Sequence, residues 1–96
     1  MDNEILAMLE NLINMTNAMM KGHPTDLRFN FLLLSLKEIK SEISEPNLTT
    51  KAKLRQLGYD VTRVYSDMLD YEKTPLGEEL VKFLLKFNDF YDTLNN

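Results

Sequence analysis

The feature that most constrains this chain is an apolar residue at every third or fourth position, kept up over four stretches that turn-forming residues interrupt at three points. Such spacing stacks side chains on one stripe of an α-helix, so each stretch reads as an amphipathic helix with one face to bury. Ile5, Leu9, Leu12, Ile13, Thr16 and Met19/Met20 mark the first helix, expected over residues 2–21. Gly22-His23-Pro24 stops it: Gly accepts the left-handed conformation beyond a helix end, and Pro cannot continue the hydrogen-bond ladder. Thr25 is the expected N-cap of a second helix over 26–44, with Phe29, Leu32, Leu36, Ile39 and Ile43 as its seam. Leu27, Phe31 and Leu34 add a second apolar strip, which predicts that the first half of this helix is buried on two sides.

Glu45-Pro46-Asn47 breaks the pattern again, and Leu48 stands where a staple residue would precede a cap at Thr49/Thr50. The third helix, expected over 50–71, follows a narrow seam of Leu54, Leu57, Val61, Val64, Met68 and Tyr71. Gly58 inside it costs about 1 kcal/mol relative to Ala, so close approach by a neighbour is expected there. Thr74-Pro75 supplies a cap and a first helical residue for the fourth helix, over 75–93, with Glu78 and Glu79 near the positive end of its dipole. Leu76, Leu80, Leu84, Phe87, Tyr91 and Leu94 are its expected inner stripe, with Val81, Phe83, Leu85 and Phe90 beside or outside it. Four helices of roughly 30 Å joined by short connections predict an all-α fold, an antiparallel up-down-up-down four-helix bundle forming one domain over 1–96.

Charge placement bears on the same topology. The third helix opens with Lys51, Lys53 and Arg55 and closes with Asp67, Asp70 and Glu72, the reverse of what its dipole favours. In the bundle its opening shares an end with Asp2, Glu4, Glu42, Glu45, Asp89 and Asp92, so pairing across helices would favour the antiparallel arrangement. The other reading is a basic patch for an anionic partner such as lipid headgroups.

Composition removes several function classes. Without cysteine there is neither a disulfide framework nor a thiolate metal site. The longest apolar run, Phe31-Leu32-Leu33-Leu34, is far below the roughly 20 residues a membrane span needs. A formal charge of -4 disfavours nucleic acid as a partner. The opening Met1-Asp2-Asn3-Glu4 is acidic where an export signal would be basic, which makes the cytoplasm the expected location.

Chemistry-bearing motifs are sparse. His23, the only histidine, sits in a turn without a second ligand nearby, and reads as a solvent-facing turn residue. There is no Glu-x-x-His pair, phosphate loop, nucleophile elbow or His-Glu-x-x-His. A helical mutase acting on a dicarboxylate would need arginines lining the interior, whereas Arg28, Arg55 and Arg63 flank the seams. No catalytic, cofactor-binding or metal-binding residue is therefore expected. Met8, Met15, Met19 and Met20 form a strip that suits core filling or an adaptable groove. On the fourth helix Phe83, Phe87, Phe90 and Tyr91, with Leu84 and Leu85, span more than one stripe. Either that helix is deeply seated or part of the arc is a partner site framed by Lys82 and Lys86.

The size, the helix layout, the stretch Lys51-Ala52-Lys53-Leu54-Arg55-Gln56-Leu57 and the segment Leu57-Gly58-Tyr59-Asp60-Val61-Thr62-Arg63-Val64 together resemble the immunity proteins of class IIa, pediocin-like bacteriocins of Gram-positive bacteria. The resemblance implies a cytosolic bundle, without enzymatic activity, that protects a producer cell from its own pore-forming peptide. It implies recognition, at the inner face of the membrane, of the mannose permease once bacteriocin has engaged it. Specificity in that family is attributed mainly to the C-terminal half, which maps here to Lys82, Phe83, Lys86, Phe90 and the end beyond Tyr91; Lys51, Lys53 and Arg55 are further candidates for partner contact. Several relatives carry a longer tail, whereas this sequence stops at Asn96. The competing reading is an acidic helical regulator of phage or plasmid origin that binds a soluble partner.

Overall fold

The turn residues divide the chain where their chemistry demands. A computed structural model describes residues 2–94, with side chains from Asn3 onward. It contains α1 (Asp2–Gly22), α2 (Leu27–Ser44), α3 (Thr50–Asp67), a short 3-10 turn (Leu69–Tyr71) and α4 (Pro75–Asp92), and no strand among the described residues.

Each helix start is held by a particular side chain. Asp26, not Thr25, caps α2: its carboxylate accepts from the Arg28 backbone N–H at 3.2 Å and from the Arg28 side chain as well, which fixes the cap in place. At α3 the Leu48 side chain staples nothing and is exposed. Asn47 closes that connection instead, accepting from the Thr49 N–H at 2.9 Å while its own N–H donates to Thr50 Oγ1 at 2.7 Å. Thr74 caps α4, accepting from the Gly77 N–H at 3.2 Å, and Pro75 follows at the first turn. The third helix ends at Asp67 rather than at residue 71, and Tyr71 leaves its seam for the 3-10 turn. The first turn of α4 rests on that segment: a Cβ added at Gly77 would come within 2.8 Å of the Glu72 backbone.

The four long helices form an antiparallel up-down-up-down bundle, 39 Å along its major axis and about 20 Å across. Each packs against its neighbours in sequence, and α4 closes the ring against α1. Ion pairs run between opposite ends of adjacent helices, as antiparallel packing requires: Lys53 with Glu42 at 3.4 Å and Lys86 with Glu4 at 3.1 Å. The sealed core takes Ile5, Leu9 and Leu12 from α1, Phe29, Leu32, Leu36 and Ile39 from α2, Leu54 and Val61 from α3, and Leu76, Leu80 and Phe83 from α4. Burying each such side chain stabilises the fold by about 1.5–3 kcal/mol.

Two expectations about faces are corrected. On α4 the buried row is Leu76, Leu80, Phe83 and Phe87, while Leu84, Tyr91 and Leu94 are half-buried. The helix is thus rolled about one residue from the expected orientation. Phe87, buried in either orientation, fits against Gly58: a Cβ there would sit 2.8 Å from Phe87 Cε2, so the bare backbone of α3 receives that ring. Phe83 stacks behind it, 5.5 Å between ring centroids. On α2 the second strip is not buried at all; Leu27, Phe31 and Leu34 are 70%, 45% and 56% exposed. A four-membered ring gives each helix two neighbours, and the outward side of α2 has none.

Candidate interaction surfaces

The densest polar cluster lies at the end of the bundle where the α1–α2 and α3–α4 connections meet. Arg28 is its hub. Its guanidinium bonds Asp26 at 2.6 and 2.9 Å, both oxygens of Asp70 at 3.1 and 3.2 Å, and the Asp67 carbonyl. It also lies over the Tyr71 ring, 5.5 Å from the centroid. The Tyr71 hydroxyl donates to Asp26 at 3.3 Å and lies 3.4 Å from Nδ1 of His23. The same ring stands edge-on to Phe29, with centroids 5.1 Å apart.

Charge follows from this geometry. The Arg28 side chain holds the Asp26 carboxyl down to about 2, and the two aspartates raise the Arg28 guanidinium in turn. Burial, then the charge of Asp26, pushes the Tyr71 hydroxyl up. A carboxyl pulled that low is a poor proton acceptor at neutral pH, so the cluster works as a clamp between α2 and the end of α3. His23 is exposed, as a turn residue should be, yet its ring packs against Tyr71 with centroids 5.3 Å apart. Sequence spacing hid this cluster because Arg28 and Asp70 lie 42 positions apart. Asp26 and Arg28, two positions apart, were the local signal. Among the described residues no group of three or more His, Asp or Glu side chains is placed to hold a metal ion.

The sequence-derived contact residues fall into three places. Phe83 is removed from the candidate surface: it is 0% exposed, because the roll of α4 turns it into the core. Lys86 reaches across to Glu4, and Phe90 lies half-buried beside them along the α1–α4 seam with Ile5 and Asp89. Lys82 is exposed and pairs within its own helix with Glu79 at 3.3 Å.

The opening of α3 splits between two neighbours. Lys53 turns to Glu42 on α2, the cross-helix pairing expected of it. Lys51 turns to α4, donating to the Leu94 carbonyl at 3.0 Å with its ammonium 5.3 Å from the Tyr91 ring centroid. Arg55 points outward, its guanidinium 5.7 Å from the centroid of Tyr59, and the bond it donates to the Tyr59 hydroxyl raises its pKa. Lys51, Arg55 and Tyr91 therefore share one face, around a shallow groove floored by Gly58 and Phe87.

The sequence pattern predicts the spare apolar surface chiefly on α4. There it consists of Val81 and Leu85, one turn apart, with Leu85 66% exposed. A longer exposed row, Leu27, Phe31 and Leu34, lies on α2. The first two of these line a groove against α3 with Arg63 and Val64, and Leu34 lines another against α1 with Met20, Leu33 and Lys37. The Met19 and Met20 side chains are half-buried against the core, consistent with filling. No helix of the described residues is long and apolar enough to cross a membrane. Set against known proteins, the chain matches no family model, no curated sequence and no solved structure.

Proposed function

We propose that this chain is a non-enzymatic helical binding protein of the bacteriocin-immunity type. In this reading it acts in the cytoplasm, at the inner face of the membrane, on the mannose permease engaged by a pediocin-like peptide. The supporting observation is that the core is complete without Leu27, Phe31 and Leu34 on α2 or Val81 and Leu85 on α4, all of which remain exposed. Large apolar side chains in rows, rimmed by polar residues, mark surfaces that a partner covers. The assignment to immunity comes from the resemblance of the helix-three segments and the layout. Its C-terminal recognition face is here the row Val81, Lys82, Leu85 and Lys86.

Expression in a sensitive Gram-positive strain tests this. Tolerance should rise toward one member of a panel of pediocin-like peptides, and Leu85→Asp should abolish the effect while leaving the helical circular-dichroism signal unchanged. Unaltered sensitivity across the whole panel would refute the reading.

A further inference from the structure

The outward side of α3 is chemically unlike the rest of the molecule. Residues 51–66 hold four of the eleven basic residues, Lys51, Lys53, Arg55 and Arg63, and one of the fifteen acidic ones, Asp60. Lys53 is taken up by Glu42, and Asp60 is half-buried, accepting from Gln56 Nε2 at 3.0 Å. What remains is the row Lys51, Arg55, Tyr59 and Arg63, each one helical turn beyond the last; Arg55 and Arg63 are exposed, while Lys51 is half-buried and donates to the Leu94 carbonyl at 3.0 Å. Among the described residues, none of its three cations lies within 4.0 Å of a carboxylate. Lys51 and Arg55, like charges one turn apart, weaken a helix by about a few tenths of a kcal/mol, so that pair does not serve the stability of α3.

Its surroundings suit a close-lying neighbour. Ala52, Gln56, Thr62 and Ser66 beside it are exposed and uncharged, and the exposed acid of the helix, Asp67, stands at its last residue. Tyr59 rises between the two arginines as an exposed anchor, already in contact with Arg55. At the Arg63 end the row opens onto the apolar groove of Leu27, Phe31 and Val64, which Asp67 closes.

We propose that the outer face of α3 docks an acidic amphipathic helix of a partner protein, its carboxylates spaced one turn apart along the Lys51–Arg55–Arg63 row and an apolar residue in the Leu27–Phe31–Val64 groove. The cations follow a ridge of residues four apart, which runs oblique to the helix axis and carries them from the α4 side of α3 to its α2 side. A crossing helix tracks such a ridge for the roughly 18 Å between Lys51 and Arg63. A flat lipid surface meets only a line along the cylinder, and insertion there calls for several large apolar side chains, where this row has Tyr59 alone. The inference stands apart from the immunity reading, since it fixes the chemistry of a partner and leaves open the process it serves.

The test uses the whole chain, isotope-labelled, and a synthetic helical peptide of about four turns with Glu at every fourth position and Leu near one end. Titration should give saturable amide shift changes at Ala52, Gln56, Tyr59, Thr62 and Arg63 that weaken with added salt. A doubly reversed variant, R55E/R63E, should lose at least about tenfold in affinity with its circular-dichroism spectrum intact. Absence of saturable shifts, or equal affinity in R55E/R63E, overturns the proposal. So does stronger sedimentation with vesicles of phosphatidylcholine and phosphatidylglycerol than with phosphatidylcholine alone, if R55E/R63E removes it, because the surface would then be a lipid one. Bacteriocin tolerance is scored separately, so either result can fail while the other stands.

Discussion

Two glycines and one aspartate show how much of this fold turns on single side chains. At Gly77 an added methyl would meet the Tyr71 carbonyl and the Glu72 backbone, which cannot swing aside as a side chain can. Gly77→Ala should therefore destabilise the protein by roughly 3 kcal/mol, measured by urea unfolding. At Gly58 the obstacle is the Phe87 ring edge. The gain in helix propensity, about 1 kcal/mol, opposes an overpacking cost of about 1–3 kcal/mol, so Gly58→Ala should lose less than Gly77→Ala. The expected close approach at Gly58 was readable because a helix-interior glycine needs a reason; that the neighbour would be a ring and not a backbone was not. Asp26 carries a pH signature. Its folded carboxyl titrates near 2 against an ordinary 3.8, so its contribution is fully present above that ordinary value and disappears as pH falls through about 2. Asp26→Asn should lower the Tm at neutral pH and flatten the acid limb of a Tm-against-pH curve, the two proteins converging near pH 2.

At the scale of the helix, periodicity tells that a segment is helical more surely than which side it buries. On α4, Leu76-Leu80-Leu84 and Leu80-Phe83-Phe87 both satisfy the spacing of three and four. Phe87 belongs to either set, so the space at Gly58 admits both; what differs is that Phe83 rather than Leu84 meets the core, and the α4 segment alone does not encode that. The α2 strip departs from its expected burial for a related reason: Leu27, Phe31 and Leu34 look like core until the number of neighbours is known. The contrast is measurable. Phe83→Ala should cost about 3–5 kcal/mol in denaturant unfolding. Leu34→Asp, on the open side of α2, should stay within about 0.5 kcal/mol. The candidate contact surfaces were legible to the same degree. The cations of α3 stood out as a run, whereas their division among Glu42, Leu94 and open solvent depends on which helix lies on each side.

For the molecule as a whole, the bundle topology was within reach of the sequence because short connections between long helices leave few alternatives. The interhelical ion pairs add little beyond it. Lys86–Glu4 and Lys53–Glu42 each have an exposed member, and such pairs contribute about 0.2–1 kcal/mol. Molar salt should consequently leave the Tm nearly unchanged, a check that calorimetry supplies. The Arg28 hub differs in kind, because it gathers the beginning of α2, the close of α3 and the 3-10 turn into one knot beside both chain connections. Among the described residues, the far end of the bundle is bridged covalently by the α2–α3 connection alone. The molecule is thus built like a pair of tweezers, riveted at one extremity and sprung at the other: amide exchange should quicken steadily from the rivet toward the tips, where α1 and α4 can part first.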